Sequence, residues 1–139
     1  YSSRPIAITH ANPAFWHSAL RNKSDDVLRA LGQSGGMLGF SLYPHHLENG
    51  SDCSVTSFCE MIARTADLMG TENIGIGTDL CQDQPDSIVE WMRVGRWTKS
   101  IDYGEGSADK PGFPPMPEWF VDNRDFGNTR NALSTIGMS

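Results

Sequence analysis

At 139 residues the chain suffices for one modest domain with a real core, but not for a complete eight-stranded α/β barrel, which typically needs ~250 residues. Its 14 Gly and 8 Pro describe a globular, loop-rich chain, neither a helical bundle nor a disordered tail. A net charge of −6, with 11 scattered Lys and Arg, argues against a nucleic-acid or anionic-membrane partner, since phosphate binding needs clustered cations.

Cys53, Cys59 and Cys81 are odd in number and lack Cys-x-x-Cys spacing, so they are expected to be reduced and buried, neither a disulfide framework nor a zinc knuckle. No apolar run is long enough to span a bilayer. The chain opens on Tyr1 and is therefore expected to begin inside a longer protein; a cytoplasmic location is the working expectation.

The first apolar run, Ile6-Ala7-Ile8, is too short for a helix and is followed by Asn12-Pro13, which imposes extended or turn geometry. His10 should then close a buried strand. Ser24-Asp25-Asp26 precedes Val27, Leu28 and Leu31, with Gly32 beyond: a capped short helix with Ser24 as its start and Gly32 as its left-handed stop. Gly35–Leu42 is a near-continuous apolar run bounded by glycine, a second strand, and Tyr43-Pro44-His45-His46 leaves its end.

From Ser54 to Gly70, Val55, Phe58, Ile62, Ala66 and Met69 recur at helical intervals, with Cys59 on the same apolar face. Asn73–Asp79 is a third strand ending in a carboxylate. Strand–helix alternation of this kind implies a parallel sheet with right-handed crossovers, and places His10 and Asp79 on one rim. Beyond it, Asp86 can cap a helix through Met92, and Asp125 to Ile136 can form another that ends at Gly137. Between them, residues 102–118 form a Pro/Gly-rich loop within the same domain; its aromatic content is too high for a solvated spacer.

A histidine and an aspartate at parallel strand ends suit metal-assisted hydrolysis, the imidazole as ligand and the carboxylate as base. A catalytic zinc site needs at least three protein ligands, and no third is evident. His17, and His45-His46, whose side chains would diverge if the segment were extended, read as loop or rim residues.

The ordered set Ile8-Thr9-His10, Arg21-Asn22 with Asp25-Asp26-Val27-Leu28, Gly36-Met37-Leu38-Gly39-Phe40 and Ile74-Gly75-Ile76-Gly77-Thr78-Asp79 resembles the later part of the membrane (renal) dipeptidase family of zinc peptidases, within the amidohydrolase superfamily. The likeness runs from Pro5 to Asp83, and more loosely over Trp119–Leu133. It implies an α/β chain forming part of a (β/α)8 TIM barrel, approximately strands six to eight with their helices. It also implies two zinc ions, dipeptide hydrolysis through a metal-bridging hydroxide, and a homo-oligomeric full-length protein.

Carried over residue by residue, the resemblance makes His10 a zinc ligand, Arg21 the binder of the substrate's terminal carboxylate, Asp79 the catalytic acid and base, and His46 a pocket residue where familiar members carry an aromatic one. The family's remaining metal ligands are expected upstream of Tyr1, so residues 1–139 alone are expected to be inactive, and its closing helix is expected beyond Ser139. The chain departs from the family at Ala11-Asn12-Pro13, where familiar members have small hydroxyl residues, and at Asp79-Leu80-Cys81-Gln82, where they have Asp-Phe-Asp-Gly. Both stretches border the pocket and bear on specificity. Read singly, Asp79 could be a helix cap, Arg21 a surface ion pair worth ~0.2–1 kcal/mol and His10 a core hydrogen-bond donor. Another amidohydrolase activity, such as N-acyl-amino-acid hydrolysis or deamination, and a non-catalytic α/β interaction piece are the rival readings.

Overall fold

The computed structural model describes residues 4–80, 85, 87–88 and 113–138. Residues 1–79 with 116–139 make one compact unit and residues 80–115 a second. In the first, a small parallel sheet carries helices between its strands: β1 Ala7–Ile8, α1 Asp25–Gln33, β2 Met37–Phe40, α2 Val55–Met69, β3 Ile74–Ile76 and α3 Phe126–Thr135. The strand order is β1-β2-β3, with Ala7 beside Met37, Leu38 beside Ile74 and Phe40 beside Ile76. This is the parallel α/β arrangement expected from the alternation of short apolar runs and amphipathic segments.

The helix expected after Ser24 forms, but its two ends work differently from the sequence expectation. Ser24 sits at the N-cap in extended geometry, yet its hydroxyl makes no capping bond. The stop is Gly35, not Gly32. Gly35 has φ +70°, its amide bonds the Gly32 carbonyl, and the Gly36 amide reaches back to the Leu31 carbonyl, the paired 5→2 and 6→1 bonds of a Schellman motif. Gly32 lies inside α1 for a packing reason, because a Cβ there would press on the backbone carbonyl of Met69 in α2.

In α2 the Ser54 hydroxyl does cap, accepting from the Ser57 amide, and Phe58, Cys59, Ile62, Ala66 and Met69 are buried as their spacing requires. The α3 helix is entered through a capping box between Asp122 and Asp125 and ends at Gly137, φ +86°. Phe40, Phe58, Trp119, Phe120 and Phe126 form a chain of ring contacts with centroids 5.1 to 6.3 Å apart, which seals α2 and the 116–139 segment over the sheet. The Trp119 indole N–H also donates to the Cys53 carbonyl at 2.6 Å. The expected helix from Asp86 and most of the 102–118 loop lie outside the described residues, apart from Ser87, Ile88 and 113–118.

The carboxyl ends of the strands converge tightly. A Cβ on either Gly39 or Gly77 would overlap the carbonyl of Thr9, so this backbone oxygen occupies the space both side chains would fill. Pairing also continues past the formal strand ends, from the Ala11 amide to the Gly39 carbonyl and from the Leu42 amide to the Thr78 carbonyl, both at 3.0 Å. Gly77→Ala is therefore expected to lower stability by about 1–3 kcal/mol, the range for overpacking, through displacement of the Thr9 segment. A thermal melt of the variant within error of the parent would show that the close approach is not required.

Candidate functional site

The rim at the carboxyl ends of the strands is built by three short loops. The segment after β1 carries His10, and its ring Nδ1 lies 2.8 Å from the Thr9 hydroxyl oxygen. Its Nε2 faces the Asp79 carboxylate at 3.9 Å, each side chain about one-third exposed. The two strand-end residues expected on one rim thus meet. Asp79 holds φ +58°, a left-handed conformation uncommon for a non-glycine residue, which turns its chain sharply at the end of the third strand.

Around this pair lies a buried amide network that composition and periodicity did not suggest. Asn12, wholly buried, donates from its carboxamide to the carbonyls of Ser41 and His46, each at 3.0 Å, and accepts from the Ser41 amide at 3.0 Å. Asn22 accepts from the Asn12 amide at 2.9 Å and donates to the carbonyls of His17 at 2.8 Å and His46 at 3.0 Å. Both carboxamides are fully used, and the His46 carbonyl accepts from both. A buried polar cluster with every group satisfied fixes its backbone strongly, because any rearrangement strands a desolvated donor.

The network explains the position of two further candidates. Arg21, on the surface, is held by the anchoring of its neighbour Asn22. His46 sits in a 3-10 turn, Pro44–His46, so the extended geometry under which His45 and His46 would diverge is not the one adopted; each ring lies 5.2 Å from the Tyr43 ring. His46 is buried, and its Nδ1 is 2.8 Å from the Ser41 hydroxyl. Burial first, then the charge of Arg21 and after it those of His10, His45 and His17, push its pKa from 6.5 down to about 4. His46 thus stands in the electrostatic reach of Arg21 and all the other histidines of the chain. His17 lies outside the strands and helices and His45 in the same 3-10 turn as His46, in agreement with their reading as loop residues.

Cys53 and Cys59 are free and buried, and burial raises both thiols to about 11. Neither supplies a thiolate at neutral pH, which agrees with their assignment to the core.

A small parallel α/β sheet whose carboxyl rim brings an imidazole to a carboxylate is similar to that of amidohydrolase structures. More narrowly, the chain belongs to the membrane dipeptidase family (peptidase family M19), whose sequence pattern it matches over residues 1–98. It is similar to an amidohydrolase from Pseudomonas aeruginosa, with TM-score 0.79 and 25% identity over 99% of this chain and 41% of that one. In fold it is also similar to a metallo peptidase from Rhodobacter sphaeroides liganded with a phosphinate mimic of the dipeptide L-Ala-D-Ala, with TM-score 0.70 and 17% identity over 99% of this chain and 32% of that one. A third likeness is to the metallo peptidase dipeptidase AC of family M19, with TM-score 0.68 and 16% identity over 97% of this chain and 32% of that one. The chain therefore spans between about a third and two fifths of the length of these proteins.

The family implies a metal, and the donor chemistry at the rim can be compared with that requirement. A ligating imidazole normally uses one nitrogen for the metal and gives the N–H of the other to an oxygen. His10 has this form, with the Thr9 oxygen at Nδ1 and Nε2 turned to the Asp79 carboxylate. Among the described residues no group of three or more His, Cys, Asp or Glu converges. The residues fit one side of a metal centre, not a closed one.

Two outcomes follow for the rim. The unfolded chain protonates His46 as pH falls through 6.5, whereas the folded chain resists until about 4, so folding stability should decline across that window. Thermal melts from pH 7 to pH 4 should show this loss in the parent and a shallower one in His46→Gln; equal slopes would remove His46 as the cause. Asn12→Leu should cost roughly 1–3 kcal/mol, since it leaves the Ser41 carbonyl and amide without their Asn12 partner and the His46 carbonyl with Asn22 alone, a loss readable by denaturant unfolding.

Proposed function

We propose that this chain is the carboxy-terminal portion of a single zinc-dependent dipeptidase barrel domain, approximately strands six to eight of a (β/α)8 TIM barrel with their helices. The observation that carries the reading is the meeting of His10 Nε2 and the Asp79 carboxylate at 3.9 Å on the carboxyl rim of a parallel sheet, the place where α/β barrels build their active sites. Membership of the membrane dipeptidase family supports the substrate class.

In this reading His10 would be one ligand of a two-zinc centre, with the other ligands coming from outside the described residues. Zinc, when bound, supplies polarisation of the scissile carbonyl and lowers the pKa of water. Asp79 takes a proton from the attacking water and returns it to the departing amine nitrogen, the paired base and acid work that peptide hydrolysis requires. Its exposed, strand-end position leaves it free to exchange that proton. Arg21 holds the substrate's terminal carboxylate through a planar guanidinium able to make two parallel hydrogen bonds. His46, which the charge of Arg21 helps keep uncharged at neutral pH, would line the same pocket.

A second reading, with which the likeness to a Pseudomonas aeruginosa amidohydrolase is equally compatible, is that the amide cleaved belongs to an N-acyl amino acid. Both substrate classes carry a free carboxylate beside the scissile amide, so Arg21 serves either. Parallel assays of the full-length protein on dipeptides and on N-acyl amino acids separate them.

Asp79→Asn in the full-length protein should lower kcat by ~10²–10⁴-fold while leaving the zinc content close to that of the parent, whereas His10→Ala should lower the zinc content itself. Activity within a few-fold of the parent would reduce Asp79 to a structural turn residue. Arg21→Lys should raise KM selectively for substrates with a free terminal carboxylate, and equal KM values for amidated and free substrates in the parent would displace Arg21 from that role.

A further inference from the structure

Ser41 follows directly on β2 and is completely buried. Its hydroxyl oxygen accepts from the Tyr43 amide at 3.2 Å and lies 2.8 Å from Nδ1 of His46. A hydroxyl has one proton to give, and among the described residues the His46 nitrogen is the acceptor within its reach. A proton donated by Ser41 to Nδ1 leaves the ring's own proton on Nε2. Nε2 has no hydrogen-bond partner among the described residues, and the backbone that carries the ring is held from two further directions: the His46 amide donates to the Tyr43 carbonyl at 2.8 Å, and the His46 carbonyl takes the Asn12 and Asn22 carboxamides.

We infer that Ser41 is a positioning residue, which fixes His46 as the Nε2–H tautomer so that this imidazole presents one directed, uncharged donor to an anionic substrate group held by Arg21. This rests on the pocket proposed above. The same preference for an uncharged ring comes from burial and from the charge of Arg21, which push the His46 pKa down to about 4. An imidazolium would carry protons on both nitrogens and oppose the Ser41 bond; a neutral ring with its proton on Nδ1 would need the hydroxyl to accept twice and leave its own proton unused. The consequence for recognition is a site with one positive charge and one neutral donor. That pairing matches a monoanionic carboxylate, and adds direction without a second cation that the buried position would disfavour.

The test uses full-length protein labelled with ¹⁵N-histidine, at pH 7, with the His46 signal assigned by its disappearance in His46→Gln. The parent should show a protonated Nε2 and an unprotonated Nδ1. In Ser41→Ala the tautomer preference should be lost, and KM for dipeptides with a free carboxylate should rise roughly 2- to 10-fold, the worth of one net hydrogen bond, with kcat nearly unchanged. Ser41→Thr, which keeps the hydroxyl, should retain the parental tautomer and KM. A parent spectrum with the proton on Nδ1 would overturn the inference whatever the variants do, as would a folded Ser41→Ala with parental tautomer and KM. The spectrum reads the tautomer without reference to turnover, so a failure of the dipeptidase reading would appear separately, in the activity assay of the parent.

Discussion

Two buried asparagines set the geometry on which the rest of the rim depends. Asn12 and Asn22 together tie the segment after β1, the loop before α1 and the turn after β2 to one shared acceptor, the His46 carbonyl. A typical hydrogen bond contributes only about 0.5–1.5 kcal/mol net, but its loss inside a desolvated cluster costs more, because the abandoned partner has no water to turn to. The three loops therefore hold or yield as a unit. Candidate site residues that are separate in the chain, His10, Arg21 and His46, inherit their positions from this shared support.

A second constraint acts from below. The Thr9 carbonyl fills the space beside Gly39 and Gly77, so the first and third strands approach each other over the middle one more closely than any side chain would permit. This approach carries His10 to Asp79 across a sheet in which their strands are not direct neighbours. Asp79 completes the contact by adopting a left-handed backbone conformation.

The rim also shows how a single residue type takes different parts. His10, about one-third exposed, keeps Nε2 toward a carboxylate; His46, buried against Ser41 and within the electrostatic influence of Arg21, is held uncharged. Exposure and neighbours separate the two, in the way environments commonly divide roles between identical titratable groups. The apolar half of the unit is simpler: the aromatic chain from Phe40 to Phe126 and the buried thiols of Cys53 and Cys59 close the core without taking part in the rim.

How far the chain could be read from residues alone follows from which signals are local. Strand, helix and strand order came from periodicity: Ile6-Ala7-Ile8, the 54–70 heptad-like spacing and Ile74-Gly75-Ile76 each declare their element within a few residues, and parallel pairing follows from their alternation. His10 and Asp79 could be placed on one rim for the same reason, since both stand just past strand ends. Their likeness to a family motif added roles that periodicity does not contain. What no local pattern held was the set of long-range backbone acceptors. Asn12 looked like a turn former before Pro13, Asn22 like a neighbour of Arg21, Ser41 like the tail of an apolar run, and Gly32 like a helix stop. Each has a partner twenty-four or more residues away, as in Asn22 to His46, Asn12 to Ser41 and Gly32 against Met69. The sequence by itself determined the order and type of the elements and the strand-end address of His10 and Asp79, because those depend on short-range spacing. Only the tertiary structure decided which loops share a buried acceptor, which glycines admit a passing carbonyl and which histidine is kept neutral, because these follow from desolvation and contacts that exist only once the chain has closed on itself.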